Sequence, residues 1–320
     1  MRSYRFSIVV TCFNQRSFIR EAIESALIQG ADEVIVVDDG SNDGSAEILQ
    51  EYRDRVRLCP VAKNGGAPGA RNHGARVATG DYILFLDGDD ILVPWALTVY
   101  KRVLERHNAV LIFGEKVSFR GSAPTAMFGE LAHGPVIFRE YAVPMHKDRS
   151  AGLCASTLVV ERAALLAAGG WSPEIGVHGD IKDFTMRLGY AGPLVLIQEP
   201  ITALYRIHET NSIHEVGKYL AKAHRLLANE RAGRYPGGAA GLGERYAALG
   251  AYVVFWSRKG MRVGLWKEVM QLVLVGLPMV VVAVAYRTRN LVRRRREPEH
   301  LDLDLSRFAQ ERPAVSNRDR

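Results

Sequence analysis

Two acidic clusters, each directly after a short apolar segment, constrain the fold of this chain more than any other sequence feature. Asp38–Ser41 (DDGS) follows Glu33–Val37, and Asp87–Asp90 (DGDD) follows Tyr82–Leu86. Short apolar runs bounded by turn-forming residues predict buried strands. Ligands of open α/β sheets bind outside the carboxyl ends of the strands. We therefore expect both clusters to lie at one ligand-binding edge of one sheet.

Strand and helix patterns alternate through about the first hundred residues, which predicts an α/β fold with a parallel sheet and crossover helices. Phe6–Thr11 is a short apolar strand. Apolar residues then recur at the spacing of one helix face over Ile19–Leu27, and a further helix is predicted over Trp95–His107. Later in the chain, a helix is predicted over Asp183–Leu188.

The acidic clusters suit a divalent metal. Several carboxylates at one strand end repel one another, and a hard cation such as Mg²⁺ or Mn²⁺ would remove that cost. Such ions typically use one or two carboxylates together with substrate phosphates. Asp87 and Asp89 are spaced so that both can reach one ion across a turn. The other interpretation is that the clusters are turns that cap the following helices. Two clusters at two strand ends favour a metal and nucleotide site.

A glycine-rich segment, Asn64–Asn72 (NGGAPGARN), lies between the two clusters in the chain. Glycines allow a ligand to approach the backbone closely, and the forked donors of Arg71 suit a phosphate group. Taken alone, the segment fits a tight turn equally well. Its neighbours favour a part in the same ligand site.

Four segments together resemble family 2 glycosyltransferases with the GT-A, or nucleotide-diphospho-sugar transferase, fold. They are Phe6–Asn14 (FSIVVTCFN), Val36–Ser41 (VVDDGS), Asn64–Gly74 (NGGAPGARNHG) and Gly80–Asp90 (GDYILFLDGDD). The resemblance extends over about residues 6–212. It implies a Rossmann-like, mostly parallel central sheet flanked by helices. It also implies an inverting enzyme that uses UDP-, GDP- or dTDP-sugars, usually with Mn²⁺ or Mg²⁺.

The resemblance implies roles for individual residues as well. The residues expected to bind the donor are Thr11, Phe13, Asn14, Asp39, Asn64, Arg71, Asp87 and Gly88. Asp39 would bind the base, commonly uracil, so a UDP-sugar is the favoured donor. Asp87 and Asp89 form the Asp-X-Asp element, with Asp89 expected as the direct metal ligand. Thr11 stands where the family often has proline.

Three more residues take expected roles from the resemblance. Tyr205–Ser212 (YRIHETNS) resembles a late family segment of the form YRxHxxxxS. His208 would then ligate the metal or contact the diphosphate, although an ordinary hydrogen-bonded histidine fits the pattern too. Asp90 is expected to contact the acceptor or to support its loop. Trp171 resembles the GGF/GGW step near the acceptor, and a core aromatic residue is the alternative.

Inversion requires a general base that deprotonates the acceptor hydroxyl as it attacks the anomeric carbon. Family members commonly supply this base from a Glu-Asp pair that precedes a helix carrying an arginine. In the matching segment Gly179–Leu188 (GDIKDFTMRL), Asp180 stands at the usual Glu position and Ile181 at the usual Asp position, counting back from Arg187. Asp180 is the predicted base. Asp183 is the alternative, or it pairs with Arg187 one turn away.

The net charge of +7 is concentrated near the end of the chain. Arg287, Arg289 and Arg293–Arg296 crowd one short segment, and without these six arginines the net charge falls to +1. Just before them, Val269–Tyr286 is an apolar stretch of about 18 residues, near the lower limit for a membrane span. Arginines after an apolar segment are typical of a cytoplasmic flank, so a membrane rather than nucleic acid is the expected partner.

The apolar stretch is not uniform. Gln271 and Pro278 interrupt it, so a helix lying in the membrane interface and a buried core helix are alternatives to a span. No signal peptide is recognised at the start, because Met1–Arg5 is short and Phe6–Thr11 is too brief for an apolar signal core. Three scattered cysteines fit a reducing compartment. We therefore expect a protein at the cytoplasmic face of the cell membrane, peripheral or C-terminally anchored, close to a glycan or lipid-linked acceptor.

The predicted organisation has four parts. Residues 1–232 form the catalytic domain, 233–243 a glycine-rich linker, 244–296 a helical membrane-associated appendage, and 297–320 a polar, disordered tail. Within the first part, Gly121–Arg149 is interpreted as loops that cover the acceptor site.

Two functions from different classes fit these features. One is an active inverting transferase that builds a cell-surface polysaccharide or glycolipid. The other is a catalytically inactive nucleotide-sugar-binding membrane partner of the same fold, and a nucleotidyltransferase is a third, less specific match. The altered Glu-Asp site favours the inactive partner. The intact acidic element at Asp87 and Asp89 favours the active enzyme, because a protein without catalysis has little need of a metal site.

Overall fold

The computed structural model describes residues 4–61, 64–124, 128, 136–141, 153–177, 179–209, 211, 214–292, 299–301 and 305. Most of the predicted acceptor loop Gly121–Arg149, the arginines 293–296 and most of the predicted tail 297–320 lie outside these residues. Where these segments are described they include two strands, Val136–Tyr141 and Glu299–Leu301, which corrects the predictions of loops and of disorder there.

The described strands form one ten-stranded sheet in the order β10-β7-β9-β6-β8-β4-β1-β2-β3, with β5 paired to β9. Their bounds are β1 Phe6–Cys12, β2 Glu33–Asp38, β3 Arg57–Pro60, β4 Tyr82–Asp87, β5 Ile91–Leu92, β6 Leu111–Phe119, β7 Val136–Tyr141, β8 Leu158–Glu161, β9 Leu194–Arg206 and β10 Glu299–Leu301.

The sheet is mixed, which corrects the prediction of a mostly parallel one. Strands β1 to β4 are parallel, and β6 pairs parallel with β9. Strand β8, however, enters antiparallel between β4 and β6, and β7 lies antiparallel to β9. An apolar run predicts that a strand is buried but carries no information about its direction, so the sequence pattern could not distinguish the two arrangements.

Helices cover both faces of the sheet. In the described residues their bounds are α1 Ile19–Leu27, α2 Ser45–Gln50, α3 Gly66–Val77, α4 Ala96–Arg106, α5 Arg162–Ala167, α6 Asp180–Arg187, α7 Val216–Arg231, α8 Leu242–Arg262 and α9 Trp266–Val292. Alternate residues of β1 face opposite cores, because side chains of a strand alternate between its faces. Ile8 and Val10 pack with α1 and α4, and Val9 packs with α3 and α6.

The parallel register brings the acidic clusters to one edge of the sheet, as predicted. Thr11, near the end of β1, is paired with Asp87 at the end of β4, and the neighbouring Cys12 is paired with Asp38 at the end of β2. This edge is the carboxyl end of the parallel strands, where ligands of such sheets bind.

Helices α7, α8 and α9 form a bundle with a core of its own. The expected domain boundary at residue 232 therefore falls inside this bundle, since α7 belongs to it. The glycine-rich segment 233–243 is a packed connection: Tyr235 within it is buried, and Arg245 donates hydrogen bonds to the carbonyl oxygens of Pro236 and Gly238.

Helix α9 contains the apolar stretch and continues through Gln271 and Pro278. Val269, Leu272 and Met279 are buried against the other two helices of the bundle. Six large apolar residues on α9 are exposed, namely Trp266, Met270, Leu274, Leu277, Val281 and Val284. By length and composition, residues 266–285 could cross a membrane, with a mean hydropathy of 2.2 and 22% of that window buried.

Candidate active site

A cavity of about 890 Å³ opens at the carboxyl edge of the parallel strands. It is bounded by the ends of β1 and β4, the start of α3, the start of α6, and helices α7 and α8. Of the predicted site residues, those that line it are Thr11, Phe13, Asn14, Asp39, Asn64, Arg71, Asp87, Gly88, Asp89, Asp180 and His208. Residues distant in the sequence thus share one cavity of the size expected for a ligand site.

The loops after β1 and β2 are tied to each other. Asn14 has a positive φ of 54°, and its side-chain oxygen accepts a hydrogen bond from the backbone N–H of Asn42. The backbone N–H of Asn14 donates to Oγ of Ser41. Because asparagine tolerates this backbone conformation better than most residues, it suits the turn that presents Phe13 at the cavity surface.

Asp39 is buried beside the start of α3. The backbone N–H of Gly65 donates a hydrogen bond to its Oδ1 at 2.9 Å, which connects the loop after β2 to the glycine-rich segment. Burial raises the pKa of Asp39, and the bond from Gly65 opposes that rise. The carboxylate therefore has a fixed position, from which it can accept a hydrogen bond from a ligand.

Gly88 separates the two acidic residues of the Asp-X-Asp element at a point where a side chain does not fit. A Cβ there would lie 2.7 Å from the carbonyl oxygen of Thr11 and 3.0 Å from Cδ1 of Ile19. Glycine lets the turn after β4 pack directly on the end of β1. This close packing of the turn on β1 is enough to explain why a glycine stands between Asp87 and Asp89, and no contact with a ligand is needed to explain it.

Arg71 is the central cation of the site. Its guanidinium donates to Oδ1 of Asp87 at 2.7 Å and to Oδ2 of Asp180 at 2.6 Å. The same group lies over the ring of Trp171, 4.9 Å from its centroid. Burial lowers the pKa of Arg71, but the two carboxylates outweigh it and hold the pKa above its ordinary value. Arg71 thus joins the acidic element to the start of α6.

Asp180 opens α6, which begins three residues earlier than the sequence pattern predicted. Its Oδ1 accepts a hydrogen bond from the backbone N–H of Ile181 at 2.8 Å. Burial raises the pKa of this carboxyl to about 6, although Arg71 acts in the opposite direction. A carboxylate with a pKa near the working pH, in a cavity, is suited to accept a proton.

Asp183, the alternative base, points into the helical bundle instead. Its carboxylate accepts hydrogen bonds from Nε of Arg187 at 2.8 Å and from the hydroxyl of Tyr235 at 2.9 Å. It is 1% exposed and is not among the residues that line the cavity. The structure therefore assigns Asp183 to the connection between α6 and the bundle.

Asp89 and His208 are paired across the cavity wall, with Oδ2 and Nε2 at 2.9 Å. Asn211 holds the histidine, since its Oδ1 accepts a hydrogen bond from the backbone N–H of His208. Among the described residues, no group of three or more His, Cys, Asp or Glu side chains could hold a metal alone. Two protein ligands nevertheless fit Mg²⁺ or Mn²⁺, because such ions take their other ligands from phosphates and water.

Asp87 lines the cavity and also makes contacts within the protein. Its Oδ1 accepts hydrogen bonds from Arg71 and, at 3.2 Å, from Oγ1 of Thr11. One oxygen of Asp87 is therefore engaged with protein donors, while Asp89 and His208 are paired with each other.

Asp90 and Trp171, expected near the acceptor, are buried instead. Asp90 accepts hydrogen bonds from Oγ of Ser156 at 2.5 Å and from the backbone N–H of Arg206 at 2.9 Å. Burial raises its pKa well above the ordinary value. Trp171 stacks on Phe184 with ring centroids 4.2 Å apart. Asp90 therefore supports the loop after β4, and Trp171 supports Arg71. Neither residue lines the cavity.

Several residues of the cavity were not predicted. Lys116 from β6 and Lys182 from α6 line it, as do Tyr219 from α7 and two aromatic residues of α8, Tyr252 and Trp256. The spacing of four between Tyr252 and Trp256 puts them on one helix face. That spacing was readable in the sequence, but it is equally typical of a helix packed in a core.

The cavity also contains thiols, which are not reactive nucleophiles. Cys12 and Cys154 line it, and burial raises the pKa of each to about 11. Thiolate is the nucleophilic form, so neither residue is suited to covalent catalysis near neutral pH. The chemistry of the site rests on carboxylates, cations and the histidine.

Comparison with known proteins identifies the family. The model of the family described as glycosyl transferase family 2 matches residues 7–165, which include β1 to β4 and the Asp-X-Asp element. The chain belongs to glycosyl transferase family 2. This glycosyltransferase therefore carries the motifs of the family on the strand ends that form its cavity.

Curated relatives resemble part of this glycosyltransferase. The poly(ribitol-phosphate) beta-glucosyltransferase of Bacillus spizizenii is 33% identical over 135 residues, 39% of this chain and 21% of the relative. Glycosyltransferase GlyG of Streptococcus pneumoniae is 38% identical over 112 residues, 33% of this chain and 37% of GlyG. The matched region thus spans a fifth to about a third of the length of these relatives.

Solved structures share the fold over most of the chain. Staphylococcus aureus TarS 1-349 in complex with UDP-GlcNAc superposes with a TM-score of 0.56 at 16% identity, covering 93% of this chain and 99% of that one. The mannosyltransferase PcManGT from Pyrobaculum calidifontis, in complex with GDP-Man and Mn²⁺, gives a TM-score of 0.53 at 16% identity. This superposition covers 91% of this chain and 88% of the PcManGT chain. The GT-A fold of the chain follows from these superpositions.

Proposed function

We propose that this glycosyltransferase moves a sugar, with inversion, from a UDP-sugar to a glycan or lipid-linked acceptor of a cell-surface polysaccharide or glycolipid. The observation that carries the proposal is the chain of contacts from Asp180 through Arg71 to Asp87. It holds a carboxylate suited to act as base in the same cavity as the Asp-X-Asp element.

In the proposed reaction, Asp180 accepts the proton of an acceptor hydroxyl while the hydroxyl oxygen attacks the anomeric carbon of the donor. The bond from the acceptor oxygen to the anomeric carbon forms as the bond to the nucleoside diphosphate breaks. Attack from the side opposite the leaving group inverts that carbon. Arg71, charged and buried, stabilises the negative charge that develops on the departing diphosphate.

The choice of UDP rests on Asp39. Its carboxylate is fixed by Gly65 at the end of β2, where it can accept the N–H of a uracil ring. The two solved structures described above bind different nucleotides, UDP-GlcNAc in TarS and GDP-Man in PcManGT. The fold therefore accepts either nucleotide, and the assignment to UDP comes from the resemblance around Asp39.

Asp89 and His208 would hold the divalent metal, Mn²⁺ or Mg²⁺, together with the donor diphosphate. When bound, such an ion neutralises charge on the leaving diphosphate. The metal in the PcManGT structure supports its use in proteins of this fold. The pairing of Asp89 with His208 at 2.9 Å supports the choice of ligands.

The inactive-partner hypothesis rests on Ile181 at a position where the family commonly has an acidic residue. The contacts of Asp180 favour the active enzyme, because one carboxylate in the cavity suffices as a base. A partner protein that only bound nucleotide would gain nothing from a carboxyl whose burial raises its pKa to about 6.

Calorimetric titration with UDP, GDP and dTDP, with and without Mn²⁺, tests the proposed donor site. We expect UDP to bind in the presence of Mn²⁺ and Asp89→Ala to weaken that binding at least about tenfold, through loss of a charged ligand. Asp54→Ala is the matched control, since Asp54 is exposed and remote from the cavity. Unchanged Mn²⁺-dependent affinity in Asp89→Ala would remove Asp89 from the metal site. Binding of none of the three nucleotides would overturn the proposal.

We further propose that α9 lies along the cytoplasmic face of the cell membrane. The exposed stripe from Trp266 to Val284 presents an apolar surface on one side of the helix. The arginines at 287, 289 and 293–296 follow it directly in the sequence and would attract anionic lipids. The opposite side of α9 packs on α7 and α8, which supports an in-plane helix over a lone span.

A further inference from the structure

Three polar-ended aromatic residues of the helical bundle line the cavity. Tyr219 lies on α7, and Tyr252 and Trp256 lie one turn apart on α8. The rings of Tyr219 and Trp256 stack with centroids 3.7 Å apart and an interplanar angle of 12°. The centroids of Tyr252 and Trp256 are 6.2 Å apart. Together these residues, the aromatic wall, form a continuous surface on the bundle side of the cavity.

The aromatic wall and the candidate base line the same cavity. Gly179, the residue before Asp180, packs against α7, where a Cβ would lie 3.4 Å from Cβ of Lys222 and 3.8 Å from Cδ1 of Leu226. Burial raises the pKa of Tyr252, and the charges of Tyr219 and Asp180 raise it further. Tyr252 and Asp180 line the same cavity, so a ligand on the wall shares one space with the candidate base.

The elements that bind the donor and those that form the wall are different. The residues expected to contact the nucleotide come from β1, β2, the glycine-rich segment and β4. The wall comes from α7 and α8, which follow the matched family region at residues 7–165. A donor held at the strand ends leaves this side of the cavity for the second substrate, with Asp180 between the two.

The chemistry of the wall selects a sugar ring as its ligand. Tyrosine and tryptophan combine an apolar ring with a polar edge, which complements a pyranose with its C–H face and hydroxyl rim. The indole Nε1 of Trp256 is buried within this wall, beside the Tyr252 hydroxyl. Lys116 and Lys182 line the same cavity and suit hydroxyl groups. An acyl chain would be matched by aliphatic residues instead.

We propose that Tyr219, Tyr252 and Trp256 form an acceptor subsite that binds one sugar ring and directs its hydroxyl group toward Asp180. The proposal rests on the proposed function, because it assigns the acceptor side of the same cavity. It implies that the helical bundle determines which acceptor is used, whereas the strand ends determine which donor is used.

Saturation-transfer NMR with simple glycosides tests the subsite directly. The probes are the methyl glycosides of glucose, galactose, mannose, rhamnose and N-acetylglucosamine, each added to the full chain with and without UDP and Mn²⁺. We expect the ring protons of at least one glycoside to be saturated. Tyr219→Ala should weaken that glycoside about tenfold, through loss of one ring contact, while the affinity for UDP stays within about twofold.

Two further variants separate binding from folding. Trp256→Phe keeps a ring in the packed position and removes the indole nitrogen. It should therefore weaken glycoside binding, while the protein still unfolds cooperatively. Phe255→Leu is the matched control, because Phe255 packs edge-on against Trp256 at 5.3 Å and does not line the cavity. It should leave glycoside binding unchanged.

Three results would overturn the subsite. They are saturation of no glycoside under either condition, unchanged glycoside affinity in Tyr219→Ala, and an equal loss in Phe255→Leu. Failure of the unmodified protein to bind UDP would count against the proposed function instead. Because glycoside binding is also measured without nucleotide, the two failures are distinguishable.

Discussion

At the scale of single residues, Asp180 is destabilising in its charged form. Burial raises its pKa to about 6 from an ordinary value of 3.8, although Arg71 opposes the rise. A carboxyl that holds its proton more tightly in the folded state than in the unfolded state makes the free energy of unfolding fall as pH rises from about 4 to 6. This cost is understandable if the residue is needed as a base.

The same pKa predicts the pH dependence of transfer. Only the deprotonated carboxylate can accept a proton, so kcat/KM should rise with pH through a midpoint of about 6 and level off above it. Asp180→Asn should lower kcat by roughly 10²–10⁴-fold and leave UDP affinity unchanged. Steady-state transfer assays between pH 5 and 8 and UDP titrations measure both effects.

Asp183→Asn is the informative comparison for this prediction. Asp183 is hydrogen-bonded to Arg187 and Tyr235 inside the fold, so its substitution should lower the melting temperature without moving the midpoint of the pH profile. If Asp180→Asn retained full turnover and Asp183→Asn did not, the assignment of the base to Asp180 would be wrong.

At the scale of elements, α8 and α9 pack closely through glycines. A Cβ at Gly250 of α8 would collide with the carbonyl oxygen of Met279, and one at Gly276 of α9 would lie 3.2 Å from Cγ2 of Val253. The two helices run antiparallel, since residue 260 meets Val269 and residue 250 meets Met279. Because one side of α9 packs against the protein, only the opposite side of this helix is available to contact lipid.

This packing predicts how the chain binds vesicles. The full chain should float with phosphatidylglycerol vesicles, and Leu274→Ser combined with Leu277→Ser should weaken binding at least about tenfold, because each exposed leucine contributes roughly 1.5–3 kcal/mol when buried. Leu166→Ser, at an exposed leucine of α5, should have no effect. Equal flotation of the double variant and the unmodified chain would contradict the in-plane position of α9.

At the scale of the whole molecule, the helical bundle and the sheet domain are joined through the active site. The hydroxyl of Tyr235 reaches Asp183 on α6 at 2.9 Å, and Lys222 on α7 donates to the carbonyl oxygen of Glu174 at 2.8 Å. The cavity itself is lined by both parts. Folding of the bundle and formation of the acceptor side of the cavity are therefore expected to be coupled.

Tyr235→Phe tests this coupling. Loss of a buried hydrogen bond to a carboxylate should lower the free energy of unfolding by about 2 kcal/mol, in a single transition that includes both parts. Tyr246→Phe is the control, since the Tyr246 hydroxyl has no hydrogen bond within the described residues, and it should have little effect. Two separate transitions in denaturant, with only one shifted by Tyr235→Phe, would show that the bundle folds independently.

Much of the donor side of the site was readable from the sequence. The acidic clusters follow apolar strands, and parallel strands bring their carboxyl ends to one edge, so local patterns sufficed to place Asp39, Asp87 and Asp89 together. The ordered motifs around them supported the family. The direction of β8 was not readable, because burial leaves the same pattern in strands of either direction.

Local sequence alone thus determined the strand ends, the glycine between the two acidic residues and the apolar stretch of α9. These depend on neighbours in the chain, whose spacing is visible. Tertiary structure decided that Asp180 faces Arg71 while Asp183 faces Tyr235, that Asp90 and Trp171 are buried, and that an aromatic wall closes the cavity. Each of these outcomes depends on contacts between segments far apart in the chain, and no local spacing records which distant surface a side chain will meet.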